Sequence, residues 1–287
     1  MKKMKRYFLI ILLLLISIVS TDCQELLDES SLTIGNGCFS PKHQTGDGTW
    51  RYIEGRIIPN QSSTIKVGVY MSAEEVASII EGYKHHSLTL GVGLALNFSF
   101  QSSWRYSKFG WANIGYKKGK SDGSIRQTNG LFESTQEDDL FMLTSGLIFL
   151  NALERAPFLR QKVCLEYQKS LKSNILNKWE GDVLASQPWD NERLKLYFEN
   201  AVAKISLSWH KEIYFLPGVA LGYSYEKGID THYALAGASL TLAKGEYGLE
   251  IASLTYQPKF DLASQSKIDI LYINFDIINI VKLIINT

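Results

Sequence analysis

The sequence predicts an all-β chain: about twelve antiparallel strands closed into a transmembrane barrel. Three observations predict it. Between Leu88 and Phe100, every second residue is large and apolar: Leu88, Leu90, Val92, Leu94, Leu96, Phe98 and Phe100. The residues between them are small or polar: Thr89, Gly91, Gly93, Ala95, Asn97 and Ser99. Successive strand side chains point to opposite faces, so one face is greasy and the other is narrow and wet. That division suits lipid outside and a lumen inside. The second observation is that similar segments recur along the chain. The third is that the segments between them alternate in length.

The strands are justified in order. Ile65, Val67, Val69 and Met71 alternate with Thr64, Lys66, Gly68 and Tyr70. Ile213, Phe215, Pro217, Val219, Leu221, Tyr223 and Tyr225 form one face of a strand over 213–226. Leu271, Ile273, Phe275 and Ile277 do the same near the C-terminus. Weaker candidates lie at 31–39, 49–58, 107–117, 139–150, 161–171, 196–208, 231–243 and 246–256. Glu199 and Glu250 do not fit the apolar face of their strands, which predicts a late start or a bulge there. The connections 40–48, 72–86, 118–138, 172–195, 227–230 and 257–265 are mostly long, and those between are mostly short. Long loops on one side and tight turns on the other are expected of a barrel inserted in one direction. Within 72–83, Ser72 and Glu75 form a capping-box pattern, and Val76, Ile79, Ile80 and Tyr83 fall at helical spacing. A short amphipathic helix is expected in that loop.

Composition bounds the rest. Net charge is +1, which offers no field for nucleic acid. Residues 1–23 read as a secretory signal peptide. Lys2, Lys3, Lys5 and Arg6 precede an apolar run from Phe8 to Val19, too short to span a bilayer. Cleavage after Ser20, Thr21 or Cys23 would fit, and residues 24–287 form one domain. Cys23 also raises acylation, although Asp22 departs from the lipoprotein pattern. Cys38 and Cys164 could pair or stay free, because spacing alone does not place them together. Aromatic residues gather near strand ends (Trp104, Tyr106, Phe109 and Trp111; Tyr197 and Trp209; Tyr223, Tyr225 and Tyr233), as expected of interfacial girdles.

The leader, the alternations at 87–100 and 213–226 and the parity of the connections together resemble a Gram-negative bacterial outer-membrane β-barrel. The resemblance covers nearly all of the mature chain and names no subfamily. It implies an outer-membrane location and a monomer surrounded by bilayer and lipopolysaccharide, folded by the barrel assembly machinery. The implied role is structural, adhesive or small-solute transport. Many such barrels end on an aromatic residue, whereas this chain ends Leu283-Ile284-Ile285-Asn286-Thr287.

Chemistry is sparsely signalled. No glycine-rich phosphate loop or zinc motif occurs, and no cofactor or metal site is expected. His85 and Ser87 are the catalytic candidates. Two apart on one strand face, they resemble the His-x-Ser of an outer-membrane phospholipase, where a base activates the serine. Leu88 and Thr89 stand where that pattern continues with Asn and Gly. Two rivals follow: a lipid hydrolase in the barrel wall, of phospholipase or lipid A deacylase type, and a secreted or surface-anchored β-sandwich that binds a partner.

Overall fold

A computed structural model of the protein describes residues 30–42, 44–59, 64–101, 106–151, 160–207, 210–244 and 249–285. The predicted signal segment 1–23 and its cleavage site lie outside the described residues. The strands are β1 Ser31–Pro41, β2 Gly46–Ile57, β3 Ile65–Ile80, β4 Tyr83–Gln101, β5 Tyr106–Gln127, β6 Gly130–Asn151 and β7 Arg160–Trp179. They continue as β8 Asp182–Pro188, β9 Glu192–Ala201, β10 Ile205–Leu207, β11 His210–Glu226, β12 Thr231–Lys244, β13 Leu249–Tyr256, β14 Lys259–Asp261 and β15 Lys267–Asp276. A 3-10 turn occupies Lys227–Ile229, and one α-helix, α1, follows at Ile277–Ile285.

All pairings are antiparallel, and the path closes: β15 pairs back onto β1 from Thr33↔Asp276 to Pro41↔Ile268. Segments β8, β9 and β10 lie end to end along one stave, because β8 and β9 both pair with β7 and β10 extends β9 along β11. β13 and β14 share another stave between β12 and β15. The result is a closed barrel of twelve staves. A sandwich of two packed sheets is excluded, since a single sheet meets its own edge.

The alternation that predicted the barrel is realised on its surface. Val92 and Leu94 on β4, Val67 and Val69 on β3, Val219 and Leu221 on β11, and Leu271 and Ile273 on β15 are all exposed. They share the outward face. Ala95, Asn97 and Asn113 point inward and have no exposed surface. On β4 the outward apolar run extends from Leu88 to Phe98; its upper end stands beside Lys120, Lys118 and Tyr116 of β5, so the lipid-facing belt lies from about Val92 toward Phe98.

Above this belt stands a set of outward tyrosines whose hydroxyls reach polar groups. Tyr167 donates to Glu192 at 2.9 Å, Tyr256 donates to Asp269 at 2.5 Å, and Tyr116 donates to Asp139. Tyr223 meets His232 Nδ1 at 2.5 Å, and Tyr225 donates to Asp230 at 3.4 Å. An apolar ring with a polar tip suits the headgroup level. Of the aromatics expected in a girdle, Tyr223 and Tyr225 belong to it, whereas Trp111, Tyr197 and Tyr233 share the inward parity of their strands. Trp104 and Trp209 lie outside the described residues.

The helix expected at 72–83 is not there. β3 runs unbroken from Ile65 to Ile80, paired with β2 on one side and β4 on the other. The segments 118–138 and 172–195 are likewise strand rather than loop, apart from their turns. Instead of long loops, tall hairpins rise beyond the belt and end in tight turns. Glu81-Gly82 and Glu180-Gly181 both have positive φ, the type I′ geometry that matches strand twist and favours glycine at the second position. β5 and β6 are 22 residues each, about twice what a membrane crossing needs.

The bulge anticipated near Glu250 is present. The register of β12 on β13 shifts between Leu242 and Ala243, which sets Glu250 opposite inward-facing Ala243. Glu199 needs no bulge, because it pairs with Lys162 on the inward face. Cys38 and Cys164 are both free; Cys38 is exposed on β1 and Cys164 is buried on β7.

The belt predicts a depth-dependent penalty. Leu96→Arg should cost about 2–4 kcal/mol in reversible denaturant unfolding from lipid vesicles. Lys120→Ala, above the belt, should change the same midpoint negligibly.

Candidate functional site

Two regions concentrate polar chemistry: the lumen and the outward face of the tall hairpins. The lumen is built by inward residues that alternate with the belt. At the end carrying Ser30 and α1, the terminal end, Arg56 of β2 reaches across β3. Its Nε donates to Asn113 Oδ1 at 2.9 Å and its Nη2 to the Leu96 carbonyl at 2.9 Å, with a further bond to Asn97 Oδ1. The guanidinium lies 5.3 Å from the centre of the Trp111 ring. Asn113 passes the chain of bonds on to Thr144 Oγ1 at 3.1 Å. A buried guanidinium must have its donors satisfied, and two asparagines and a carbonyl do this here. Ile58, Tyr70, Ala95 and Met142 pack beside it as a small apolar cluster.

Higher up, ion pairs line the lumen, and one of them bridges it. Lys162 of β7 meets Glu250 of β13 at 3.9 Å although three staves separate them. The bulge in β13 makes this contact, because without it Glu250 would face lipid. Lys195 pairs with Glu166 at 3.4 Å, and Lys117 with Glu74 at 3.9 Å. Trp50 Nε1 also donates to Glu74, at 2.8 Å. Near the hairpin end Glu226 takes both Lys259 at 2.7 Å and Arg193 at 3.5 Å, and Lys259 sits 3.6 Å above the Tyr233 ring. Ser239 donates to Glu199 at 2.8 Å. Positive and negative groups alternate, so no single sign dominates the passage.

Toward the hairpin end the side chains of Arg193 and Glu166 are 44% and 41% exposed while Lys259 is 13% exposed, and at the terminal end Arg160 and Asp276 are 3% and 7% exposed. The lumen is therefore a wet cup at its hairpin end that tightens to a packed floor. The small residues of β4 explain how long side chains fit: a Cβ at Gly91 would stand 3.0 Å from Lys117 Cγ and 2.4 Å from Ser72 Oγ. Lys117 occupies the space that glycine leaves.

The second region is a shallow groove of about 420 Å³ on the tall hairpins. Two rows cross β4 to β7 in register: Lys84–Ser124–Glu133–Lys178 and His86–Asp122–Thr135–Leu176. Thr135 Oγ1 donates to Asp122 at 3.1 Å, and His86 Nε2 meets Glu75 at 3.0 Å. Cations stand at both ends of the first row, with the Glu133 carboxylate and the Ser124 hydroxyl between.

His85 and Ser87 share the inward face of β4, opposite Gly123 and Ser121 of β5. The structure keeps them on one side, but no hydrogen bond joins them among the described residues. His85 stacks on Tyr83 with ring centres 6.5 Å apart. Burial, and then the neighbouring His86, hold its pKa below the ordinary histidine range, with Asp122 opposing. A base that activates a serine is normally oriented by a third group; here the carboxylate Glu75 bonds His86 on the other face. The residues that sequence reasoning missed are Arg56, Asn97 and Asn113. Their signal was weak: an isolated Arg and two Asn, each at an inward position.

No protein-family model matches the chain, and no characterised protein matches it by sequence. Solved structures do match in shape. The translocator domain of the autotransporter NalP from Neisseria meningitidis is 9% identical, with a TM-score of 0.50 over 86% of this chain and 88% of that one. The β-domain of the Bordetella autotransporter BrkA is 12% identical, with a TM-score of 0.50 over 86% of this chain and 97% of that one. The fold is that of a bacterial outer-membrane β-barrel. The apolar belt agrees: a continuous outward apolar face of this kind suits contact with lipid.

The floor gives a prediction. Arg56→Leu should destabilise the barrel by about 1–3 kcal/mol for each buried asparagine left unsatisfied, read as a lower denaturant midpoint in vesicles. Asn113→Leu combined with Arg56→Leu should recover part of that loss.

Proposed function

We propose that the protein is a monomeric outer-membrane barrel that displays a tall β-sheet at the cell surface and acts there by adhesion rather than by bulk diffusion. One observation carries the reading: the strands that rise beyond the belt, β3 to β8, continue as one ordered sheet, while beneath them Arg56 packs into the floor of the lumen and Lys162–Glu250 bridges it. Sheet that extends beyond the bilayer serves no spanning purpose. The groove on it offers hydroxyls and charges of both signs. On this reading the hairpin end faces outward, lipopolysaccharide surrounds the tyrosine girdle, and the barrel assembly machinery inserts the chain.

Small-solute transport is the second reading, favoured by the exposed charges of the cup. A barrel-wall lipid hydrolase at His85 and Ser87 is the third; Ser87→Ala would abolish fatty-acid release only if it holds.

The decisive comparison uses cells that carry equal surface levels of the native chain or of a variant in which 119–138 is replaced by a tight Asn-Gly turn. Adherence of the cells to one another and to a coated surface should fall at least several-fold in the variant. Equal adherence, together with porin-scale conductance of the native protein in planar bilayers, would favour transport instead.

A further inference from the structure

We infer that the C-terminal helix α1 is a lipid-embedded clasp: it seats on the outer wall at the seam where the barrel closes, and its other partner is the hydrocarbon of the adjoining leaflet. The inference rests on the membrane reading of the barrel. The first observation is how the helix is tied. Asp276, the last residue of β15, caps it by accepting from the Asn279 backbone N–H at 3.1 Å. Asn279 Nδ2 then donates to the Glu250 carbonyl on β13 at 2.9 Å. The helix is thus held to the stave before the seam as well as to its own.

The second observation is where its buried side lies. Ile278 is buried on Leu32 of β1, with Ile53 of β2 and Ile277 packed alongside. Leu32 stands opposite Gly55, and Ile53 stands opposite Ile34. All four have the outward parity of their strands. The helix therefore covers the same face that meets lipid further along the strands, and it is continuous with the belt.

The third observation is composition. Apart from Asn279 and Lys282, every residue of α1 is Ile, Val or Leu. Asn279 and Lys282, three apart, share one face; the rest of the circumference is apolar, and such a surface is stable only when covered. The wall surrounds one side, and Ile280 and Val281 remain partly exposed. At nine residues the helix is about 13 Å long, too short to span but long enough to lie in one leaflet. Lipid chains complete what the wall begins.

The test places a nitroxide label at Ile280→Cys, and separately at Val281→Cys, with the three native cysteines replaced by serine. The full chain is reconstituted in phosphatidylcholine vesicles, with Val92→Cys as a belt control. Collision with oxygen should exceed collision with a water-soluble nickel chelate several-fold at one or both helix sites, as at Val92. Nickel accessibility above oxygen at both helix sites would place α1 in water and overturn the proposal. Low accessibility to both reagents would place it against protein and overturn it too. If the Val92 control also favours nickel, the membrane reading itself fails.

Discussion

A backbone amide that meets hydrocarbon without a partner costs several kcal/mol, so a sheet in a membrane must leave no edge. The pairing of β1 with β15 discharges that constraint, and the rest of the structure depends on it. Once the sheet closes, each strand has an inside and an outside. The period-two code then becomes obligatory, because a slip of one residue would turn the belt into the lumen. One departure from that alternation, the bulge in β13, turns a carboxylate inward.

Closure also accounts for the charges. Eight-stranded barrels fill their interior with side chains, and sixteen-stranded ones leave a channel. Twelve staves fall between. The interior is too wide for small residues to fill and too narrow for free solvent throughout. Long side chains resolve this by reaching across: Arg56 over β3 to Asn97 and Asn113, and Lys162 to Glu250 over three staves. Buried charges are tolerable only when paired or hydrogen-bonded, so each cross-lumen reach ends on a partner. Gly91 of β4 makes room for another long side chain, Lys117, which lies over it toward Glu74.

Legibility in the sequence followed the membrane. Where one face meets lipid, as at 87–100 and 213–226, the alternation is unmistakable and the strand assignment held. Where hairpins rise into water on both faces, the code disappears. Ala73, Glu75 and Ala77 outside, with Ser72, Glu74 and Ser78 inside, carry no two-fold signal, and Val76, Ile79 and Ile80 then imitate a helix. Glu-Gly turns are less conspicuous than Asn-Gly. At the C-terminus the alternation predicts strand through Ile277, whereas the cap at Asp276 starts a helix there. The lumen floor could not be read because its partners lie 31 to 57 residues apart in the chain, and nothing local marks them.

Closure itself can be measured directly. Cys38 of β1 lies opposite Leu271 of β15, both on the outward face. Leu271→Cys in the reconstituted protein should form an intramolecular disulfide with Cys38 under mild oxidation, visible as a faster-migrating band after heat denaturation that reverts on reduction. Leu254→Cys, on the neighbouring stave, should not. If Leu271→Cys yields only disulfide-linked dimers, or no cross-link while both thiols remain reactive, the first and last strands are not neighbours and the closed barrel is wrong.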